Sequence, residues 1–463
     1  MRLQIQKKFM KNNLVNLFLI CICFASAEAY SQDKENKVLS KEEAIAQMLE
    51  ANFGIQLANN QVEIAENNAS LLNSNYLPSV TGNAGATIEN SDSETDFKGA
   101  QRDDGTVRQN IEILDAETKR YNASIDLNYT LFDGLGRLYN YKELKERYNL
   151  SQLQARETIE NTMIQLFSVY YEVARLAENI TNFKEALKIS KRRELRAQYQ
   201  FDYGQVNKLQ VLNARVDITT DSINLLNEIQ SYKNAQRDLN VVLNRDLKDL
   251  VSADTTVTFL NQMVLESYIE KSATANVNLL QAESDQTISE YQIKAAKSLL
   301  LPTVGLTGSY GWNRSENPAS AFFPSTTRTE DLLSIGANLR WNIFDGGRAI
   351  TSLKNAKIVN NNQELLKKQL IVEINRDIAN AKGNYENALQ IYELQNQNVQ
   401  TNQNNFRRSE ERLKLGQISS VEFRQAQLNL LNAKTIQNRA KYNAKLAELR
   451  LLQLTGQLLN VEF

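Results

Sequence analysis

Histidine is absent from all 463 residues of the chain. A histidine general base and metal binding through imidazole are therefore excluded. Cysteine is nearly absent, because Cys21 and Cys23 are the only two and lie close together near the start. The rest of the chain can form neither disulfides nor reactive thiols. No nucleophile–base pair, metal-ligand cluster or phosphate-binding loop stands out, so we expect no enzyme, no catalytic or metal-binding residue and no cofactor.

An excess of basic charge is also lacking, since 53 Lys and Arg face 54 Asp and Glu. Nothing in this balance indicates a nucleic-acid partner. Long apolar runs are missing except for "LVNLFLICICFA", which follows a basic start and precedes the small residues "ASAEA". This pattern predicts a secretory signal peptide over residues 1–29, cleaved after Ala29. A retained membrane anchor is the weaker alternative, because a span needs about 20 apolar residues.

Proline and glycine are scarce and unevenly placed. All four prolines and 12 of the 17 glycines fall within residues 76–137 and 300–348. The stretches between these windows are rich in Ala, Leu, Glu, Gln, Lys and Asn, a composition that favours helix. We expect long helices over about 135–202 and 347–414, each reaching about 100 Å. Glycine turns follow, and returning helices are expected over about 206–246 and 419–456.

The two breaker-rich windows alternate between apolar and polar residues. In "RYNASIDLNYTLF" and "SIGANLRWNIF" this alternation has a strict period of two, which predicts strands of about ten residues with one apolar face. Each strand has an upstream partner that begins just after a Leu-Pro pair, and a polar loop separates the partners. The sequence therefore predicts strand hairpins over about 78–133 and 302–345.

Several motifs occur twice at a spacing of 212 residues. "YTLFDGLGR" begins at Tyr129 and "RWNIFDGGR" at Arg340, while "YGQVNKLQVLNA" at Tyr203 matches "LGQISSVEFRQA" at Leu415. We expect two structural repeats, 30–250 and 251–463, each with opening helices, a hairpin, a long helix and a returning helix. Aspartate caps helices and glycine permits sharp turns. The expected strand-to-helix turns are Asp133, Gly134, Asp345 and Gly346.

Strands of this kind suit either a half-buried soluble sheet or a membrane barrel with a water-filled interior. The polar face carries Asp126 and Arg340, which do not suit a dry core. Tyr129 and Trp341 stand near the helix ends of their strands, where membrane-interface aromatics are expected. Four strands cannot close a barrel, and open edges in lipid are costly. Three copies would give twelve strands and room for a channel.

The order and duplication of these motifs resemble the TolC family of outer-membrane efflux and secretion channels. The residues that carry the resemblance include Leu39–Val80, Val277–Val304, the "FDGG" turn and the two glycine turns. The resemblance implies a mixed α+β membrane protein. Its long helices would form an α-helical barrel, and four strands per chain would form a trimeric 12-stranded transmembrane β-barrel. It implies the outer membrane of a Gram-negative bacterium, with extension into the periplasm.

The resemblance also implies a function and partners. The chain would be the exit duct of a tripartite efflux or type I secretion system. It would work as a homotrimer in outer-membrane lipid, with a periplasmic adaptor (membrane fusion) protein and an inner-membrane pump of RND or ABC type. A soluble periplasmic coiled-coil scaffold or adaptor is the rival hypothesis. The exported substrate stays open, from drugs and bile acids to metals, siderophores and polypeptides.

In this family the far tips of the helices form the periplasmic aperture and the adaptor-docking surface. The docking residues expected here are Gly204, Gln205, Gly416, Gln417 and Ser420. The aperture residues expected here are Glu422, Gln425, Gln210 and Asn213. A ring of three Glu422 carboxylates would repel one another and attract cations; an ordinary solvated carboxylate is the alternative. Val206 and Ile418 are apolar where some relatives have a basic residue, so we expect the closed mouth to depend on packing and hydrogen bonds.

Overall fold

The computed structural model describes residues 38–461, and the predicted signal peptide lies outside them. Long helices and a single larger sheet make up most of this part of the chain, which confirms the predicted mixture of long helices and strands. In chain order, the elements are β1 Val38–Leu39, α1 Lys41–Ala51, α2 Phe53–Asn68, β2 Ser79–Thr95, β3 Ile111–Phe132, α3 Gly136–Asp202, α4 Lys208–Val242, β4 Ser252–Ala253, α5 Gln262–Glu270, α6 Ser272–Ala275, α7 Val277–Ser298, β5 Thr303–Asn317, β6 Thr326–Arg340, α8 Arg348–Lys414 and α9 Ser420–Leu454.

The helices α3 and α8 are each 67 residues long, and α4 and α9 are each 35. Long runs of helix formers explain these lengths, because no proline occurs inside them and Gly383 is the one glycine in the interior of α3 or α8. Helix α4 ends at Val242, four residues before the predicted end. Asn244 there adopts a φ of 51°, and the backbone N–H of Arg245 donates to the carbonyl of Asn240 at 2.8 Å. An asparagine in the left-handed region closes a helix in the same way as glycine does.

Contacts divide the chain into two units. The first contains residues 38–56, 159–270 and 377–461, and the second contains 57–158 and 271–376. In the first unit the largest fully buried side chains include Tyr170, Tyr171 and Phe167. The hydroxyl of Tyr170 donates to the carbonyl of Leu39 at 2.6 Å and accepts from the N–H of Asp254 at 2.9 Å. Through these two hydrogen bonds, Tyr170 links the parallel β1–β4 pair to α3.

The second unit contains a four-stranded antiparallel sheet with strand order β2-β3-β5-β6. Its strands have 17, 22, 15 and 15 residues, so the expectation of about ten was too short. The ladders continue into the segments predicted as polar loops, with pairs such as Glu94↔Glu112 and Asn317↔Thr326. Apart from Ile111, Ile113 and Leu114 of β3, these outer parts are largely polar on both faces, and alternation cannot reveal such strands.

Within residues 38–461, β2 pairs only with β3 and β6 pairs only with β5. The sheet therefore has two free edges. None of the helices in this part of the chain is both long enough and apolar enough to cross a membrane.

Candidate functional site

The strand register collects apolar side chains on one face of the sheet. Pairing places Val80 opposite Leu127, Leu127 opposite Gly308 and Gly308 opposite Ile335. Since side chains two residues apart share a face, the whole set can be read from these pairs. A register shift between Thr130 and Phe132 places Phe132, and not Leu131, opposite Val304. The apolar face consists of Val80, Ala84, Ala86, Ile88, Tyr121, Ala123, Ile125, Leu127, Tyr129, Phe132, Val304, Leu306, Tyr310, Trp312, Leu333, Ile335, Ala337 and Leu339. Much of it is exposed, including Ile335 at 74% and Leu339 at 68%.

Aromatic residues lie at both ends of this apolar face. Tyr129 is half-buried at the helix end, and Trp341 follows the last residue of β6 with its indole N–H donating to the carbonyl of Leu300 at 3.2 Å. Tyr121 and Trp312 stand toward the opposite end. The sequence pattern did not single out this second pair, because glycines interrupt the alternation around Trp312. An apolar band between two aromatic rows is typical of a lipid-facing sheet surface.

The other face of the sheet is polar. Near its middle the carboxylate of Asp126 accepts hydrogen bonds from the amide of Asn83 at 2.7 Å and from the hydroxyls of Ser124 and Ser309 at 2.9 and 2.6 Å. These donors come from three adjacent strands. The network keeps a carboxylate on a surface suited to contact with water.

The two strand-to-helix turns are built alike. Asp133 Oδ2 accepts from the backbone N–H of Arg137 at 2.8 Å, and Asp345 Oδ2 accepts from that of Ala349 at 2.9 Å. Each aspartate therefore supplies an acceptor for a helix N-terminus. Gly134 and Gly346 have φ values of 67° and 74°.

The residue after each of these glycines is also left-handed. Leu135 has a φ of 69°, and Gly347, 212 positions later, has a φ of 88°. The first turn thus holds a leucine in a conformation that favours glycine.

The far ends of the long helices have matching turns. Gly204 and Gly416 have φ values of 72° and 70°. The N–H of Gln205 donates to the carbonyl of Gln200 at 2.8 Å, and that of Gln417 donates to Arg412 at 2.9 Å. This is the Schellman arrangement that closes a helix at glycine. Of the expected docking residues, Gly204, Gln205, Gly416 and Gln417 are exposed and Ser420 is half-buried.

The returning helices begin with side-chain caps. Asn207 caps α4 by accepting from the N–H of Gln210 at 3.3 Å. Ser419 caps α9 by accepting from the N–H of Glu422 at 3.2 Å, and the Glu422 carboxylate accepts from the N–H of Ser419 at 2.7 Å. The second pair forms a complete capping box. Gln210 and Glu422 therefore occupy the same third position of their helices.

The expected aperture residues differ in their partners. The Glu422 carboxylate also accepts from the Ser419 hydroxyl at 2.9 Å. The hydrogen bonds from Ser419 hold the pKa of Glu422 below its usual value. Gln425 donates to the Asn429 side chain at 2.8 Å, and Asn213 is exposed. The structure thus gives Glu422 a local role as a helix cap, which the sequence pattern did not predict.

A buried cluster of charges lies within a few turns of the tips, and we call it the tip cluster: Arg193, Asp217, Asp221 and Arg424. Arg424 on α9 donates to both carboxylate oxygens of Asp221 on α4, at 2.6 and 2.8 Å. Arg193 on α3 pairs with Asp217. The Arg424 Nε also lies 3.5 Å from Asp217 Oδ1. The cluster therefore joins three helices.

Neutral side chains complete the tip cluster. The Ser190 hydroxyl donates to Asp221 at 2.6 Å, and Gln427 donates to the Ser190 oxygen at 3.1 Å. Burial lowers the pKa of Arg193, and the nearby Arg424 acts in the same direction while Asp217 opposes it. A sequence signal existed, because Asp221 follows buried Val211 and Ala214 at coiled-coil spacing. A charge at a core position requires a buried partner.

Comparisons with known proteins cover most of the chain. A sequence model of the family described as "Outer membrane efflux protein" matches residues 44–245 and 268–457. The outer membrane efflux protein BepC of Brucella suis is 22% identical over 405 residues, which are 86% of this chain and 81% of BepC. The outer membrane protein TolC of Vibrio cholerae is 25% identical over 324 residues, which are 68% of this chain and 72% of TolC.

Solved structures with the same fold include an outer-membrane channel and another outer-membrane protein. The Campylobacter jejuni CmeC channel has a TM-score of 0.69 and 16% identity, covering 93% of this chain and 90% of CmeC. VceC of Vibrio cholerae has a TM-score of 0.70 and 15% identity, covering 90% of this chain and 96% of VceC. At sequence identities this low, the similarity to these structures shows a shared fold and nothing more.

Proposed function

Because this chain belongs to the outer membrane efflux protein family, we propose that it is the outer-membrane exit duct of a tripartite efflux or type I secretion system. The resemblance of its motifs to the TolC family is confirmed, and with it the location in the outer membrane of a Gram-negative bacterium. The proposed duct is a passive trimeric tunnel. It carries substrates from an inner-membrane pump through the periplasm to the outside.

The observation that carries this proposal is the exposed apolar face of a sheet with two free edges. On β3 this face runs from Tyr121 to Phe132, opposite the ten residue steps from Arg314 to Val304 on β5. Ten residue steps at about 3.4 Å, tilted by about 40°, span roughly 25 Å, which is the height of the apolar band of an outer-membrane barrel. A soluble scaffold protein has no need for such a face.

Free edges explain why the proposed duct is a trimer. In hydrocarbon each unpaired N–H or C=O group costs several kcal/mol, so the edges must be paired. Two copies would give eight strands, and side chains fill a barrel of that size. Three copies give twelve strands with space for a water-filled lumen. The polar face with Asp126 would line that lumen, and the long helices would continue the tunnel in the periplasm.

The tip turns are the proposed periplasmic mouth. Exposed Gly204, Gln205, Gly416 and Gln417, with half-buried Ser420, form the proposed docking surface for the adaptor protein. The proposed aperture is lined by Glu422 with Gln425, Gln210 and Asn213. The lowered pKa of Glu422 supports this role, since a carboxylate that stays ionised attracts cations.

Two measurements test the function. Native mass spectrometry of the detergent-extracted protein should give a trimer, and planar bilayers containing it should show discrete conductance steps. A lone subunit that stays dissolved without detergent would contradict the channel and favour the soluble scaffold. Capture of the adaptor by the purified trimer, compared with a variant carrying Gly204→Asp and Gly416→Asp, tests the docking surface.

A further inference from the structure

The two hairpins of the sheet pair in equivalent registers. In the first hairpin Val80 is opposite Leu127, and in the second Val304 is opposite Leu339. Val304 lies 224 positions after Val80, and Leu339 lies 212 positions after Leu127. The same two offsets relate other pairs, so that Ala86↔Tyr121 corresponds to Tyr310↔Leu333. Strand β5 is thus the counterpart of β2, and β6 is the counterpart of β3.

One seam between hairpins is present within the chain. Strand β3 of the first hairpin pairs with β5 of the second, with Leu127 opposite Gly308, Ile125 opposite Tyr310 and Ala123 opposite Trp312. A closed ring of three copies requires a second seam, in which β6 of one copy pairs with β2 of the next. Both seams join the end of one hairpin to the start of another. Strand directions also agree, because β6 would run antiparallel to the β2 that it meets.

We propose that the seam between copies has the register Leu339–Ala84, Ala337–Ala86 and Ile335–Ile88, with the second residue of each pair belonging to the next copy. In the seam within the chain, adding 212 to each β3 residue gives its counterpart on β6, and subtracting 224 from each β5 residue gives its counterpart on β2. Leu127↔Gly308, for example, becomes Leu339–Ala84. The occupant of each free edge is a second copy of this chain. This proposal rests on the trimeric duct proposed above and adds the specific residues that close the ring.

The chemistry of both faces fits this register. On the outer face it places Ile335, Ala337 and Leu339 against Ala84, Ala86 and Ile88, so apolar side chains meet apolar ones. A slip of one residue would turn the polar neighbours of these residues toward lipid.

On the inner face the same register places Asn338 opposite Gly85. A Cβ at Gly85 would lie 2.6 Å from Asn122 Oδ1, so a larger residue there would require the Asn122 side chain to move. Glycine leaves room for a second asparagine side chain from the neighbouring copy. Slips of two residues would keep both faces, so the experiment is designed to separate the three registers.

Disulfide formation distinguishes the registers, with Ala337→Cys as the fixed partner. Residues directly opposite have Cα atoms about 4.5–5.5 Å apart, within the disulfide range of about 4.4–6.8 Å, whereas diagonal neighbours lie about 7–8 Å apart. Ala337→Cys is combined with Ala86→Cys for the proposed register. Combinations with Ala84→Cys and with Ile88→Cys represent the two slipped registers. The single variants and the unchanged full-length chain are the controls.

Each ring contains three such seams, so oxidation of the proposed pair should convert most of the protein to covalent trimer on a non-reducing gel. The slipped pairs should give severalfold less, and the controls should stay monomeric on the gel. Conductance of the reduced variants checks that they fold.

Stronger cross-linking of a slipped pair, or none in any pair of a native trimer, would overturn the register and leave the duct intact. Covalent species limited to dimers would overturn the three-copy ring. A protein that is monomeric in detergent before oxidation would overturn the proposed function itself.

Discussion

The guanidinium of Arg424 and the carboxylate of Asp221 form a two-bond ion pair, with N–O distances of 2.6 and 2.8 Å. Asp221 is 2% exposed and the Arg424 side chain is 11% exposed, so solvent hardly screens the pair. It connects the second returning helix to the first. Because Arg193 and Asp217 extend the contact to α3, the tip cluster fixes the relative positions of three helices near the proposed aperture.

Arg424→Met should destabilise the helices around the tip. Removing one partner leaves Asp221 buried with Ser190 as its remaining close donor, and breaking a buried pair costs about 3–5 kcal/mol. The thermal midpoint of the detergent-solubilised protein should fall clearly. In a double-mutant cycle with Asp221→Asn, the second substitution should cost much less in the Arg424→Met background.

The matched control is Arg215→Met, which changes an exposed arginine near the tip, on α4. Arg215 pairs with Glu194, but its side chain is 58% exposed, and exposed pairs contribute about 0.2–1 kcal/mol. If Arg424→Met cost no more than Arg215→Met, the tip cluster would not hold the helices together.

Glu422→Gln should abolish cation preference at neutral pH without unfolding the tip. Glutamine at the third helix position can still bond the N–H of Ser419, so the capping geometry persists. Reversal potentials in planar bilayers under a salt gradient measure the preference. The matched gain-of-charge variant is Gln210→Glu, at the equivalent position of α4, which should strengthen cation preference. No change in either variant would place these residues away from the ion path.

Cation preference should depend on pH through the Ser419 hydrogen bonds. These bonds lower the pKa of Glu422 in the folded protein, so at neutral pH they contribute to the stability of the folded protein. It is lost as the pH falls through the lowered pKa and the carboxylate becomes protonated. Ser419→Ala removes the hydroxyl donor and should move the loss of cation preference to higher pH. An unchanged titration in this variant would show that the capping box does not govern the Glu422 charge.

Gly347→Leu should destabilise the second strand-to-helix turn by about 1–2 kcal/mol, the cost of an L-residue in the left-handed region. Gly347 has a φ of 88°, and its counterpart Leu135 already has a φ of 69°. The reverse substitution, Leu135→Gly, relieves that cost and should not lower stability. Thermal unfolding of both variants measures the difference. Equal destabilisation by both substitutions would contradict the conformational explanation.

Sequence patterns predicted the helices better than the strands. The absence of proline and the scarcity of glycine, with Gly383 as the one glycine inside α8, placed α3 and α8 to within a residue or two. Strand ends were missed because the outer ladders are largely polar on both faces. Alternation detects a strand only where its two faces differ.

Sequence patterns located the tip turns but missed what surrounds them. Gly204 and Gly416 were visible as breakers between helices. Arg193 and Arg424, in contrast, lie 231 positions apart, and nothing local links one to the other. Their pairing with aspartates depends on how three helices pack, which a single sequence does not specify. For the same reason the capping role of Glu422 became visible only with the position of Ser419 at the helix start.

Ile335→Lys should prevent assembly of the membrane-inserted trimer, whereas Ser334→Lys should be tolerated. The two residues are neighbours on β6 and both are exposed in the single chain. They point to opposite faces, because Ile335 is opposite Gly308 on the apolar side and Ser334 is opposite Ser309 on the polar side. A lysine on the lipid face costs about 2–4 kcal/mol at the bilayer midplane, while a lysine on the lumen face stays in water. Three copies multiply the cost for Ile335→Lys. The effect is measured as the yield of trimer after each variant is refolded into lipid vesicles. Equal yields for the two variants would show that the apolar face does not meet lipid, and the sheet would then have to be covered in some other way.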